Sequence, residues 1–282
     1  MASEKVELIY PTIARWHCVD LMLKNLEKAE KPKNIQVLAI VASDDKFANY
    51  LEKGLKKIFK KVRVVRNDQK PVEHDELRGR IEGKKLWASD INLRKIQNVK
   101  ETYELAMKHI DKTADYYWFI EDDTLFPLNT YSRMIKAMDL LEADVVSGIS
   151  YYWHTDKKDP RNFWQFVKAV DEGIGNKGVK ADDKAPSFQT MPPQDGGIAK
   201  LGATGLGNVI AKREVVKRWI PTEYPSIKSG ADISFFWQCM QNGYSAYGIW
   251  DLFLPHITKF DNGDIQILGR IDKSLLKVIN GE

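Results

Sequence analysis

Along the first half of the chain the apolar positions switch repeatedly between two periods. Val6-Glu7-Leu8-Ile9-Tyr10 reads as a strand that Pro11 stops, and Val19, Leu23, Leu26 and Ala29 then recur at helical spacing. Ile35 to Val41 is a nearly continuous apolar run, as expected of a strand covered on both faces. Leu51, Leu55 and Ile58 mark a second helix, followed by the strand Val62-Arg63-Val64-Val65. Ile96, Val99, Tyr103, Ala106 and Ile110 predict a third helix, Tyr116 to Ile120 another buried strand, and Tyr131, Met134, Met138 and Leu141 a further helix before Val145-Val146-Ser147-Gly148-Ile149. Strands separated by helix-length segments predict an α/β fold: a mostly parallel central sheet with helices on both faces.

After about residue 150 the alternation fails. Residues 171–199 are rich in Gly, Asp, Lys and Pro and carry few apolar anchors, so they read as a functional lid or a partly disordered stretch. Order returns with a strand at Gly205 to Ala211 and a helix bearing Val215, Val216 and Trp219. Ile233, Phe236 and Met240 predict one more helix, ended by Gly243, and Ala246 to Trp250 a last strand. No internal repeat or second domain boundary is visible. Residues 1–257 read as one domain, with halves at 1–150 and 151–257, and 258–282 as a C-terminal tail.

With 282 residues the chain can bury a full core, and its apolar and charged fractions, 43% and 29%, are those of a globular protein. A formal charge of +4 is too slight to argue for nucleic acid. Lys53, Lys56, Lys57, Lys60, Lys61, Arg63 and Arg66 form a local basic excess, either a solvated helix face or a contact for an anionic partner or membrane. The two cysteines, Cys18 and Cys239, lack metal-ligand spacing and fit a reducing compartment. No signal-peptide core and no apolar run near the roughly 20 residues of a membrane span are present, so a cytoplasmic protein is expected, with peripheral membrane attachment left open.

The chemistry concentrates at Glu121-Asp122-Asp123, directly after the strand Tyr116–Ile120. Ligands of α/β sheets bind beyond the carboxyl ends of strands. Three adjacent acids repel one another unless a cation relieves them, and hard carboxylate oxygens suit Mg²⁺ or Mn²⁺ shared with substrate phosphates. The competing reading is a set of acids favoured at a helix start, although Pro127 and Asn129 put that start several residues later.

The strand, the acid triplet and Thr124-Leu125-Phe126-Pro127 together resemble the donor-site motif of GT-A fold glycosyltransferases, particularly the family-2-type group. Three further segments agree in order. Ile9-Tyr10-Pro11-Thr12-Ile13-Ala14-Arg15 resembles the first strand and nucleotide loop, and Gly202 to Glu214 the acceptor-side strand and helix. Gly230-Ala231-Asp232-Ile233-Ser234-Phe235-Phe236, with Gly243-Tyr244 and Leu254-Pro255-His256-Ile257, is similar to the family's acid-opened helix, Gly-Tyr turn and distal His.

The resemblance implies a role for each matching residue. Asp123 is the principal metal carboxylate, Glu121 its partner near ribose or metal, and His256 approaches the metal or diphosphate from the far side. The family more often has Asp where Glu121 stands. Thr12, Arg15, Asp122 and one of Asp44 or Asp45 fall on the donor side, although Asp44-Asp45 also reads as an ordinary turn. Arg94 and Asn98 match a helix segment facing the nucleotide, and Gly205 and Trp153 fall on the acceptor side. Asp232 is the expected general base, since inverting transfer needs one carboxylate to take the acceptor's proton. An acid there is also favoured simply by a helix start, and Ala231 stands where the family often has a second acid.

The resulting expectation is a glycosyltransferase that uses Mn²⁺ or Mg²⁺ and a UDP- or GDP-sugar to glycosylate a hydroxyl with inversion. Its rivals are a retaining enzyme of the same fold, which does not need Asp232, and a non-catalytic carbohydrate-binding protein. A sugar-nucleotide pyrophosphorylase would open with a Gly-rich, Arg-containing loop that Pro11-Thr12-Ile13-Ala14-Arg15 lacks.

Overall fold

A computed structural model describes residues 4–13, 15–42, 44–67, 80–81, 84–85, 88–153, 162–164, 167–169, 188–190, 197–223, 230–259 and 263–280, with backbone alone for 80–97 and 150–190 within these spans. The first half contains β1 (Lys5–Thr12), α1 (Trp16–Lys28), β2 (Asn34–Val41), α2 (Asp45–Ile58), β3 (Val62–Arg66), β4 (Arg80–Ile81), β5 (Lys84–Lys85), α3 (Ala88–His109), β6 (Tyr116–Ile120) and α4 (Thr130–Leu141). Next come β7 (Val145–Trp153), β8 (Asn162–Trp164), β9 (Val167–Ala169), β10 (Phe188–Thr190), β11 (Ile198–Lys200), β12 (Asn208–Lys212) and α5 (Arg213–Arg218). The chain continues through α6 (Ala231–Gln241), β13 (Ala246–Leu254), β14 (His256–Lys259), β15 (Ile265–Leu268) and α7 (Lys273–Ile279). The lid expected at 171–199 lies almost wholly outside the described residues.

The central sheet runs β11-β13-β7-β12-β6-β1-β2-β3, with β8 paired to β7 beside this path. From β6 to β3 every pairing is parallel, as the alternating strand and helix pattern predicts. β12 breaks that order by running antiparallel to both β6 and β7. An antiparallel strand needs no crossover helix, and β12 is reached from β7 through a stretch with no helix among its described residues.

Strand alternation divides the core between the two faces. Val6, Leu8 and Tyr10 of β1, Val37, Ala39 and Val41 of β2, and Trp118 and Ile120 of β6 pack with α1, α2, α4 and α7. Ile9, Leu38, Ile40, Tyr117 and Phe119 point the other way, toward Tyr103 and Ala106 of α3, α5 and α6. This two-sided burial is why these strands read as continuous apolar runs. Each fully buried large side chain stabilises the fold by about 1.5–3 kcal/mol relative to exposure.

Three local expectations change. β1 continues through Pro11 to Thr12, since its pairing with β6 ends at Ile9 and the missing N–H faces a ladder on one side only. The buried face of α6 is Ser234, Phe235, Phe236 and Cys239, and Met240 is exposed, so the apolar stripe lies one residue round from the periodicity reading. Beyond residue 257, β14 pairs with β15, and Leu275 and Val278 of α7 are fully buried in the core that α1 lines.

The basic stretch on α2 keeps Leu51 and Leu55 buried while Lys53, Lys56, Lys57 and Lys60 face solvent. At the opposite end of the sheet from the acid triplet, buried Glu7 accepts from Arg63 Nη2 and the Asp111 amide, both at 2.6 Å. Among the described residues no helix is long and apolar enough to cross a membrane.

Candidate active site

The parallel arrangement of β1, β2 and β6 brings their carboxyl ends to one edge, where the β1–α1 loop meets the acid triplet. Asp122 is almost fully buried there. Its Oδ2 accepts from Thr12 Oγ1 at 2.5 Å and from the Ile13 amide at 3.3 Å, and its Oδ1 accepts from Arg15 Nη1. Both oxygens of Asp122 are therefore engaged in tying the first loop to the triplet. Arg15 Nη1 also lies 2.7 Å from Asp123 Oδ2. Burial opposes charge on this guanidinium, but Asp122 and Asp123 outweigh it and keep Arg15 cationic.

A second segment closes on the triplet from the far end of the sequence. The Ile257 amide donates to the Asp123 carbonyl at 2.8 Å, and the Leu125 amide to the Pro255 carbonyl at 2.9 Å. These backbone bonds set His256 beside Thr124, whose Oγ1 lies 3.3 Å from His256 Nε2 and 3.4 Å from Asp123 Oδ1. Behind them, buried Asn25 of α1 clamps Phe126: its Nδ2 donates to the Phe126 carbonyl and its Oδ1 accepts from the Phe126 amide, both at 3.0 Å. Asn25→Ala should lower the unfolding free energy by about 2–3 kcal/mol, because it leaves two buried backbone groups without partners. Urea denaturation of the two proteins measures the difference.

Glu121 continues β6, with its amide donating to the Gly207 carbonyl at 3.2 Å. A Cβ at Gly207 would sit 3.2 Å from Thr124 Oγ1 and 3.5 Å from Glu121 Oε2, so glycine there leaves room beside the carboxylate. Burial, then the charges of Asp123 and Asp232, push the Glu121 carboxyl up to about 8. Asp232, half-buried in the first turn of α6, is therefore electrostatically close to the triplet. Its carboxylate accepts from the Ile233 amide at 2.8 Å, while the N-cap position belongs to Gly230. The Tyr103 phenol, buried and without a hydrogen-bond partner among the described residues, is raised by burial and then by Glu121 and Asp232. Its polar end thus lies near the same carboxylates.

Glu121, Asp123 and His256 each offer one ligand atom, and these atoms all lie within 4.8 Å of one another. Two hard oxygens and an imidazole nitrogen are a donor set that suits Mn²⁺, and Mg²⁺ less well. Burial and the neighbouring carboxylates together disfavour charge on Glu121, and a bound cation would relieve both effects. These residues fit a divalent metal.

Other residues singled out in the sequence make contacts of their own or are only partly described. Asp44 caps α2, its Oδ1 accepting from the Phe47 amide at 2.9 Å, and Asp45 pairs with Arg66 at the surface. Asn98 lies half-buried on α3, its carbonyl accepting from Thr102 Oγ1 at 2.8 Å. Arg94 lies on α3 and Trp153 ends β7, and their side chains lie outside the described residues. Gly205 sits half-buried in the loop entering β12, two residues from Gly207. Thr124 and Gly207 lie in segments that the resemblance covers but were given no role, Tyr103 was read only as a helix position, and Asn25 was not singled out. Tyr103 and Asn25 become neighbours of the triplet through folding.

No family model matches this chain, and no curated protein does. Among solved structures, a crystal structure of S. aureus TarS 1-349 is similar at 13% identity and a TM-score of 0.50, covering 89% of this chain and 59% of that one. TarS 1-349 in complex with UDP-GlcNAc is matched at 14% identity and a TM-score of 0.47, over 89% of this chain and 57% of that one. A197 from STIV is matched at 12% identity and a TM-score of 0.37, over 95% and 98%. The chain thus spans less than two thirds of the TarS chain it matches. The large mixed sheet flanked by helices is a GT-A-like fold.

Proposed function

We propose that this protein is a metal-dependent glycosyltransferase that moves a sugar from a nucleoside-diphosphate sugar to an acceptor hydroxyl, with inversion at the anomeric carbon. The observation that carries this reading is the convergence of Glu121, Asp123 and His256 at the carboxyl end of β6 in a GT-A-like fold, with Asp232 electrostatically close to them. Glu121, Asp123 and His256 would hold Mn²⁺ or Mg²⁺, which when bound neutralises charge on a leaving diphosphate. Thr12, held to Asp122, keeps the first loop against the triplet at the edge where the nucleotide would lie. Asp232 takes the acceptor proton as the glycosidic bond forms. A second acid is needed for that task because the triplet is committed to charge neutralisation.

UDP-GlcNAc, the molecule in one crystal structure of TarS, is a reasonable first donor to test. A panel of UDP- and GDP-sugars with and without Mn²⁺ should raise the melting temperature for one donor only when metal is present, because a ligand confined to the native state stabilises it by mass action. At one hundred times the dissociation constant the gain is about 2.7 kcal/mol. The same shift in excess chelator would remove the metal from the reading, and no shift with any donor would defeat the reading itself.

A further inference from the structure

We propose that Arg15 is a resident counter-cation of the acid triplet, displaced from Asp123 by the incoming divalent metal and thereby turned toward the diphosphate. The inference rests on the metal-dependent reading above. Its basis is that one guanidinium nitrogen serves two carboxylates: Arg15 Nη1 contacts Asp122 and lies 2.7 Å from Asp123 Oδ2. Asp123 is also one of the three residues whose ligand atoms gather within 4.8 Å. A guanidinium and a divalent ion sharing that carboxylate would repel each other at a few ångströms, in surroundings where charges are poorly screened.

Asp122 makes the exchange feasible without loss of the loop. Its Oδ1 holds Arg15, while its Oδ2 is fixed by Thr12 and the Ile13 amide. The Arg15 carbonyl is fixed too, accepting from the amides of Cys18 at 2.9 Å and Val19 at 3.2 Å. Only the side chain needs to move, pivoting about Asp122 as Asp123 is surrendered. The released N–H groups then face the edge where metal and phosphate meet, and a planar guanidinium is well matched to phosphate oxygens.

The consequence is coupling. Metal alone must compete with Arg15 for Asp123, whereas metal arriving with a diphosphate offers Arg15 a replacement anion. Each ligand therefore strengthens the other by the same factor. The site takes up metal and nucleotide as a pair and holds free metal weakly.

The test is calorimetric titration of the native protein, Arg15→Gln and Arg15→Lys, first with Mn²⁺ alone and then with UDP at saturating Mn²⁺. Arg15→Gln should bind Mn²⁺ alone at least about tenfold more tightly, equivalent to about 1.4 kcal/mol, and UDP at least about tenfold more weakly. Arg15→Lys, which keeps the charge, should bind Mn²⁺ much as the native protein does. A purely structural role for Arg15 would weaken both ligands together, and Mn²⁺ affinity unchanged or reduced in Arg15→Gln overturns the proposal. If the native protein binds no Mn²⁺ even with UDP present, the metal-dependent reading falls and this inference with it. Should Arg15→Gln not fold, nitrogen-15 NMR of the native guanidinium answers the question, with Arg15 assigned by its loss in Arg15→Lys. Mg²⁺ with UDP should shift that signal; a signal that stays fixed while the His256 ring responds overturns the exchange.

Discussion

Asp123→Asn is expected to abolish metal-dependent nucleotide binding while leaving the fold close to native. The Asp123 carboxylate is partly exposed, and the link from its position to His256 runs through its backbone carbonyl, which accepts from the Ile257 amide and survives the substitution. Arg15 keeps its contact with Asp122. The lost element is one charged oxygen of the donor set, and its removal should weaken Mn²⁺-dependent UDP binding by at least about 100-fold. Asp122→Asn provides the contrast. Both of its oxygens are spent on Thr12, Ile13 and Arg15, so that substitution should act on stability, costing about 1–3 kcal/mol. Calorimetry with UDP and Mn²⁺, alongside thermal melting, separates the two. An Asp123→Asn protein that still binds UDP in a metal-dependent way would end the assignment of Asp123.

The second large effect concerns Asp232. Asp232→Asn keeps the shape of the side chain and can still accept from the Ile233 amide. Helix capping is not at stake, because Gly230 occupies the cap. Donor binding should therefore persist, whereas sugar transfer should fall by about 10²–10⁴-fold, the usual cost of a lost general base. The product of the native enzyme should carry inverted anomeric configuration, as a deprotonated hydroxyl attacks opposite the departing diphosphate. A retained configuration together with near-normal transfer by the Asn variant would favour a retaining enzyme on the same fold. The readout is single-turnover transfer with product configuration determined by NMR.

The sequence determined by itself what depends on neighbours along the chain. The parallel half of the sheet was legible because β1, β2 and β6 are covered on both faces, and double burial writes itself as continuous apolar runs such as Ile35 to Val41. The acid triplet was legible for a related reason: a hydrophobic strand that ends in three carboxylates is a local pattern, and strand ends are where such sheets bind ligands. Where the period was blurred by residues buried through contact rather than hydropathy, as with Ser234 on α6, the stripe was misjudged by one position. The β1 boundary was likewise misread at Pro11, because whether a missing N–H matters depends on which neighbour strand is still paired there.

Only the tertiary structure decided which groups each acid faces. Glu121, Asp122 and Asp123 are adjacent carboxylates that only the family resemblance told apart; in the fold Asp122 is turned inward to bind the first loop, while Glu121 and Asp123 gather with His256. Asp44, read in the sequence either as a donor-side residue or as part of an ordinary turn, caps α2 through one carboxylate oxygen. The direction of β12, the burial of α7 against α1 and the clamp of Asn25 on Phe126 also had no local signal. Apart from the Asp44 cap, which is local, these depend on residues about one hundred or more positions apart, or on strands whose order the chain does not spell out. Charge and hydrogen bonding act through space, so roles that a sequence pattern leaves equal are separated only when folding fixes which groups face one another.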